Sequence, residues 1–168
     1  MLEELPTACP DDPVTPRASL ILAPGEAANR GALWMGGAHA LRGDEITVSL
    51  VTGSWLIDAA GDMPAAHYAA AAHALSCVFM DVEAIPPSFE RLATVTRAAA
   101  AALHSGEAAR VYAVCTHGLN RSGLVSGLIL RTLGIPADEA IRRIRLARPG
   151  SLANLAFERL IQDFTPPG

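Results

Sequence analysis

There is no lysine in this chain: all 13 of its basic residues are arginine, set against 17 acidic residues for a formal net charge of -4. A protein that grips nucleic acid or anionic lipid across its surface carries a basic excess. The balance therefore argues against an extended polyanion-binding face and confines any bound anion to one local site. Aromatic residues are sparse, with two Trp, two Tyr and four Phe, too few to place a deep slot for an aryl phosphate. The cysteines Cys9, Cys77 and Cys115 are too few, and odd in number, for a disulfide framework. No stretch suits a bilayer: the longest run without formal charge, 63–80, contains Pro64, His67 and His73 and is mostly alanine. The N-terminus is acidic and proline-broken, without the basic and apolar regions of a signal peptide. These absences lead to the expectation of a soluble, reduced, cytoplasmic protein with no membrane contact.

What is present is material for a core. Hydrophobic residues make up 51% and charged residues 18% of 168 residues, which is one domain of ordinary size. Pro6, Pro10, Pro13 and Pro16 mark residues 1–18 as an irregular arm, leaving 19–168 as a single domain. Strands are expected at 32–35, as an edge strand ended by Gly36-Gly37, at 46–51 (ITVSLV), at 77–80 as a continuous buried run, and at 110–114; 54–58 reads as a strand or a turn. Helices are expected at 64–75, from Ser88 to His104 with Gly106 beyond its end, from Ser122 to Leu133 before Gly134, and from Pro136 to Ala147 before Pro149-Gly150. A last helix is capped by Ser151, with Leu152, Leu155, Leu160, Ile161 and Phe164 as its apolar face. Interleaved strands and helices predict an α/β domain around a central sheet.

The chemistry concentrates in Cys115-Thr116-His117-Gly118-Leu119-Asn120-Arg121-Ser122-Gly123, between a predicted strand and a predicted helix. In that setting successive backbone N–H groups converge on one point with a helix dipole behind them and form a nest for an oxyanion. The field that holds a phosphate also holds a thiolate at Cys115. Arg121, six residues on, can fold back and offer its planar fork to two phosphoryl oxygens. Gly118 lets the loop turn without a Cβ, and Ser122 can donate to the thiolate and stabilise it as a leaving group. Thr116, His117, Gly118, Leu119 and Asn120 supply the rest of the phosphate-binding backbone. The alternative is a buried structural cysteine beside a helix-capping turn.

This segment resembles the cysteine-dependent phosphatases that share a Cys-x5-Arg-Ser/Thr loop, and on length the compact dual-specificity type fits best. Within that group CTHGLNRSG is similar to the loop of the RNA 5′-triphosphatases of animal mRNA capping enzymes. Leu33-Trp34-Met35-Gly36 also looks like the strand on which the family's chain enters its sheet, and Ala147-Arg148-Pro149-Gly150 like its segment after the penultimate helix. The resemblance spans about 32–164 and is strongest at 114–123. It implies a twisted, mostly parallel sheet flanked by helices, with the loop at the sheet's C-terminal edge, and no cofactor. One departure is clear: the histidine that usually precedes the cysteine is Val114 here.

The family also supplies an aspartate some thirty residues before the cysteine, to protonate the leaving oxygen. Asp81 lies 34 residues before Cys115 and Glu83 lies 32 before it, so both fit; Asp81 is favoured because it directly follows the apolar run 77–80. His39, His67, His73 and His104 have no zinc-ligand spacing and are expected on helix surfaces or in packing. Arg142, Arg143, Arg145 and Arg148 form a basic run that reads as a solvated helix face complementing the C-terminal dipole; alternatively Arg148 lies close to the loop and attracts anions. The expected partner is a phosphorylated substrate: a phosphoprotein, a small phosphate ester or an RNA 5′ end. Two other functions remain open. A rhodanese-type sulfurtransferase also sets a cysteine in such a nest, but on a loop usually one residue shorter. A phosphate-binding module would bind without turnover.

Overall fold

The computed structural model describes residues 18–38 and 46–166. The reading of 1–18 as an arm, Cys9 and His39 therefore lie wholly or almost wholly outside the described residues. Five strands form one sheet: β1 (Ser19–Leu22), β2 (Ala32–Gly37), β3 (Trp55–Asp58), β4 (His73–Ser76) and β5 (Arg110–Cys115). Their order is β1-β2-β5-β3-β4, and only the β1–β2 pair is antiparallel. This is the expected mostly parallel sheet flanked by helices. The parallel strands β2, β3 and β5 end together, so their C-terminal edge collects the loops that follow them.

Burial alternates along the central strand. Val111, Ala113 and Cys115 face a core shared with Leu33, Met35, Ile57, Leu124, Leu128 and Phe157. Tyr112 and Val114 face the opposite way, into a smaller core with Trp34, Leu50, Leu56 and Met63. The period of two assigns one side chain after another to opposite faces of the sheet. The larger face is covered by α3 (Phe89–Ser105), α4 (Arg121–Thr132), α5 (Ala137–Ala147) and α6 (Leu155–Asp163). The smaller face is covered by α1 (Val48–Val51) and α2 (Ala65–Ala70). Helix α3 ends at Gly106 with φ of 86°, the left-handed conformation glycine adopts without penalty.

Several expectations are corrected. Residues 46–51 do not form a strand: Val48–Val51 is a single helical turn, and burial at Ile46, Leu50 and Val51 follows helical spacing. The β-branched residues there answer to packing rather than to propensity. The helix expected at 64–75 stops at Ala70, because the chain must extend to pair β4 with β3. Residues 77–80 are not a strand; β4 lies immediately before them, and Val78 and Met80 are exposed while Cys77 and Phe79 are buried. The strand at 32–35 is an inner strand, not an edge, because β1 pairs outside it. Ser151 does not cap the last helix. Its hydroxyl donates to the Arg148 carbonyl, and Asn154 caps α6 by accepting from the amides of Ala156 and Phe157.

Asp58, at the end of β3, is buried and accepts from the amides of Ala60 and Gly61 and from the Tyr68 hydroxyl. Burial, reinforced by that hydrogen bond, pushes the Tyr68 phenol up to about 12. Burial also pushes the Cys77 thiol up to about 11, with the Asp58 charge adding to it and Arg91 opposing. The unfolded chain releases these protons earlier, near 9.0 for the thiol and 10.0 for the phenol. Stability is therefore intact below pH 9.0 and falls as pH rises from there to about 11 for the thiol, and from 10.0 to about 12 for the phenol. Urea titrations across that range should show the decline, and it should shrink in Cys77→Ala. At pH 7, iodoacetamide should leave Cys77 unlabelled in folded protein, as read by peptide mass mapping.

Candidate active site

The loop from Cys115 to Arg121 leaves β5 at the centre of the sheet's C-terminal edge and opens α4. Gly118 has φ of 71°, and a Cβ there would stand 2.4 Å from the Gly36 carbonyl carbon. A Cβ on Gly37 would meet the His117 carbonyl carbon at 2.9 Å. The Gly36-Gly37 pair thus does not end β2 but lets the loop rest backbone against backbone on that strand. The first hydrogen bond of α4 runs from the Leu124 amide to the Asn120 carbonyl, so the amides of Arg121, Ser122 and Gly123 stand outside the helix ladder.

Cys115 is 3% exposed, and its Sγ lies 3.3 Å from Oγ of fully buried Ser122. The Arg121 guanidinium is fixed at both ends. One Nη donates to the Thr116 hydroxyl at 2.9 Å and the other to the Phe79 carbonyl at 3.4 Å. Its Nε is buried and has no hydrogen-bond partner among the described residues. The Thr116 hydroxyl in turn donates to Asp62 at 2.8 Å. His117 is exposed at the rim, as its place in the loop suggested.

Asp81 comes to this site. One of its carboxylate oxygens accepts from the Asn120 side-chain amide and the other from that of Asn154, both at 2.9 Å. Glu83 is exposed and makes no hydrogen bond or ion pair with the described residues. Of the two carboxylates suggested by spacing, Asp81 is the one tethered to the loop. Val114 is fully buried on the far face of β5, in the smaller core that also holds Trp34, Leu56 and Met63.

The basic run 142–148 is solvated in part: Arg142 and Arg145 are exposed, Arg143 is half-buried and Arg148 is buried. Arg143 pairs with Glu26 and Glu139, and Arg145 with Glu158. Arg148 is close to the loop but only 3% exposed; its Nε donates to the Gly118 carbonyl at 2.6 Å and an Nη to the His117 carbonyl at 3.3 Å. It serves the loop's backbone rather than solvent. Asp62 and Asn154 escaped the sequence reading. Asp62 sits on the loop after β3, at the same sheet edge, and only the strand register could have signalled it. Among the described residues no three His, Cys, Asp or Glu side chains gather as a metal site, and no helix is long and apolar enough to cross a membrane.

No protein-family model matches the sequence, and no curated protein matches it. Solved structures do. Human DUSP28 aligns with a TM-score of 0.63 at 21% identity, over 89% of this chain and 93% of that one. The fold is that of the dual-specificity phosphatases. Tk-PTP in its active form aligns at 0.62 and 19% identity, over 89% of this chain and 99% of its own. The human tyrosine phosphatase-like serine/threonine/tyrosine-interacting protein aligns at 0.62 and 14% identity, over 87% and 93%. These likenesses, all at 21% identity or below, concern the fold.

Two substitutions test the geometry. Gly118→Ala must relieve both a left-handed backbone and a backbone clash, and should cost about 3 kcal/mol or more in a denaturant titration. Val114→His would drive an imidazole into the packed far-face core; it should destabilise by about 2–4 kcal/mol without increasing Cys115 alkylation at neutral pH.

Proposed function

We propose that this protein is a metal-independent phosphatase working through a phosphocysteine at Cys115, of the protein tyrosine or dual-specificity kind. One observation carries the reading: the Arg121 guanidinium is pinned at both Nη atoms yet keeps a buried, unpartnered Nε–H on the loop that begins at Cys115. A buried donor without a partner is costly in a folded protein, and a tetrahedral oxyanion on the loop would satisfy it. The Cys115 sulfur attacks phosphorus in line, forming the P–S bond as the P–O bond to the leaving group breaks. Asp81 gives its proton to the leaving oxygen. Water then attacks phosphorus, Asp81 takes its proton, and the P–S bond breaks to release phosphate with the electron pair returning to sulfur. Ser122, 3.3 Å from that sulfur, stabilises it as it leaves. Arg121 and the loop amides hold the equatorial oxygens throughout.

The seven-residue span from Cys115 to Arg121 favours phosphate over the smaller sulfur of a sulfurtransferase. The loop sequence keeps an RNA 5′-triphosphatase as the second reading. The carboxylates Asp62 and Asp81 flanking the loop favour a simple phosphate ester over a polyanionic RNA end. Cys77 and Cys115 are both free, which supports a reducing, cytoplasmic setting.

A substrate panel with chelator present decides among these: p-nitrophenyl phosphate, phosphopeptides, inositol phosphates and triphosphate-ended RNA. Hydrolysis of the esters is expected; release from RNA alone would replace the first reading by the second. Cys115→Ser should lose turnover but bind tungstate within a few-fold of wild type, and phosphate release by it would sink the phosphocysteine. Arg121→Lys should lower kcat/KM by about 10²–10³-fold, because a point charge cannot replace a bidentate fork.

A further inference from the structure

The short connection between α5 and α6, residues 148–154, touches both halves of the site. Arg148 holds the carbonyls of His117 and Gly118, and the Leu152 amide donates to the Leu119 carbonyl at 3.3 Å. Three successive loop carbonyls are thereby pulled outward, and alternating peptide geometry turns their neighbouring N–H groups inward. Asn154 serves the other half. Its side-chain amide donates to Asp81 and to the Val82 carbonyl, both at 2.9 Å, while its backbone amide donates to the Asn120 side chain at 3.2 Å. Asn120, Asp81 and Asn154 thus close a triangle that latches the carboxylate to the loop, and Phe79 packs edge-on against Phe157 of α6 beside it.

The connection is itself held hard. Arg145 donates to the carbonyls of Ser151 and Leu152, and the Ser151 hydroxyl to that of Arg148. Leu152 adopts φ of 59°, unusual for a residue with a branched side chain, at the very position whose amide reaches the loop. Backbone outliers of this kind persist only where the surroundings over-determine them.

We infer that Arg148 and Asn154 are positioning residues with separable tasks: Arg148 orients the amide nest, and Asn154 aims Asp81. The inference rests on the phosphatase reading for its Asp81 half; its nest half needs only oxyanion binding.

Arg148→Lys keeps the charge but cannot hold two carbonyls in one plane. It should weaken tungstate binding, measured by calorimetry, about tenfold, the equivalent of one strong hydrogen bond. It should also slow p-nitrophenyl phosphate and phenyl phosphate alike. Asn154→Ser retains an oxygen to cap α6 but loses the amide donor. It should leave tungstate affinity unchanged while kcat for phenyl phosphate, whose leaving group needs a proton more, falls about tenfold further than that for p-nitrophenyl phosphate. In an Asp81→Asn background the Asn154 change should add nothing. Unchanged affinity in the first variant, or equal losses on both esters in the second, overturns the corresponding half, even if either variant melts at lower temperature. If the wild type hydrolyses no ester, the phosphatase reading falls and takes the Asp81 half with it, and the tungstate measurement still decides the Arg148 half.

Discussion

A loop that aims its amides at one point must send its carbonyls elsewhere, and the rest of this site follows from where they go. Gly118 is buried, and a buried carbonyl left without a donor costs about 1–3 kcal/mol. The chain meets the demand with a buried guanidinium and a strained backbone amide, Arg148 and Leu152, delivered by one connection. The other side of the loop rests on β2 through the close backbone approach at Gly36, Gly37 and Gly118 and through the Ala38 amide, which donates to the Cys115 carbonyl at 2.8 Å. The nest is thus clamped between a strand that allows no side chain and a cation that faces inward.

The pleat of β5 settles a second matter. Cys115 and Val114 are adjacent in sequence and separated by the sheet in space. The residue before the cysteine cannot present a donor directly to the sulfur from there, whatever its type. The side chain that touches the Cys115 sulfur comes from the helix side: the Ser122 hydroxyl, 3.3 Å away. The replacement of the histidine usual in the resembling family therefore leaves the Ser122 contact in place.

The parts that could be read from the sequence were those governed by local rules. The loop announced itself by residue types at fixed spacing, and α3, α4 and α5 by glycine or proline stops at Gly106, Gly134 and Pro149, although the Ser88 side chain makes no capping bond to α3. The errors fall where tertiary pairing overrode local preference. Residues 46–51 look like a strand by composition but curl into a turn to bury Ile46 and Leu50. The alanine-rich helix gives way at Ala70 because β3 needs a parallel neighbour. Asp81 was accessible through its distance from Cys115, and Arg148 through its place in the segment after the penultimate helix, whereas Asp62 and Asn154 act through contacts spanning 54 and 73 residues of sequence. No periodicity encodes contacts of that kind.

The lack of lysine acquires a physical meaning at this point. Arginine here works largely as a donor to backbone carbonyls: Arg91 to Ser76, Arg110 to Thr52, Arg131 to Ile135 and Phe164, Arg145 to Ser151 and Leu152, Arg148 to His117 and Gly118. A planar fork with several fixed N–H groups can satisfy two carbonyls at once, which a lysine ammonium does less well. A guanidinium keeps its full charge in that role, so the field at long range still follows the net charge of -4. At the site, Arg121 faces the nest, Arg148 stands behind it, and the carboxylates of Asp62 and Asp81 lie on either flank. An anion is therefore attracted at short range, where two phosphoryl oxygens can meet a fork and a ring of amides. A second negative group a few ångströms away meets carboxylates. On the proposed reading, the placement of these four side chains favours one phosphate group over a polyanion.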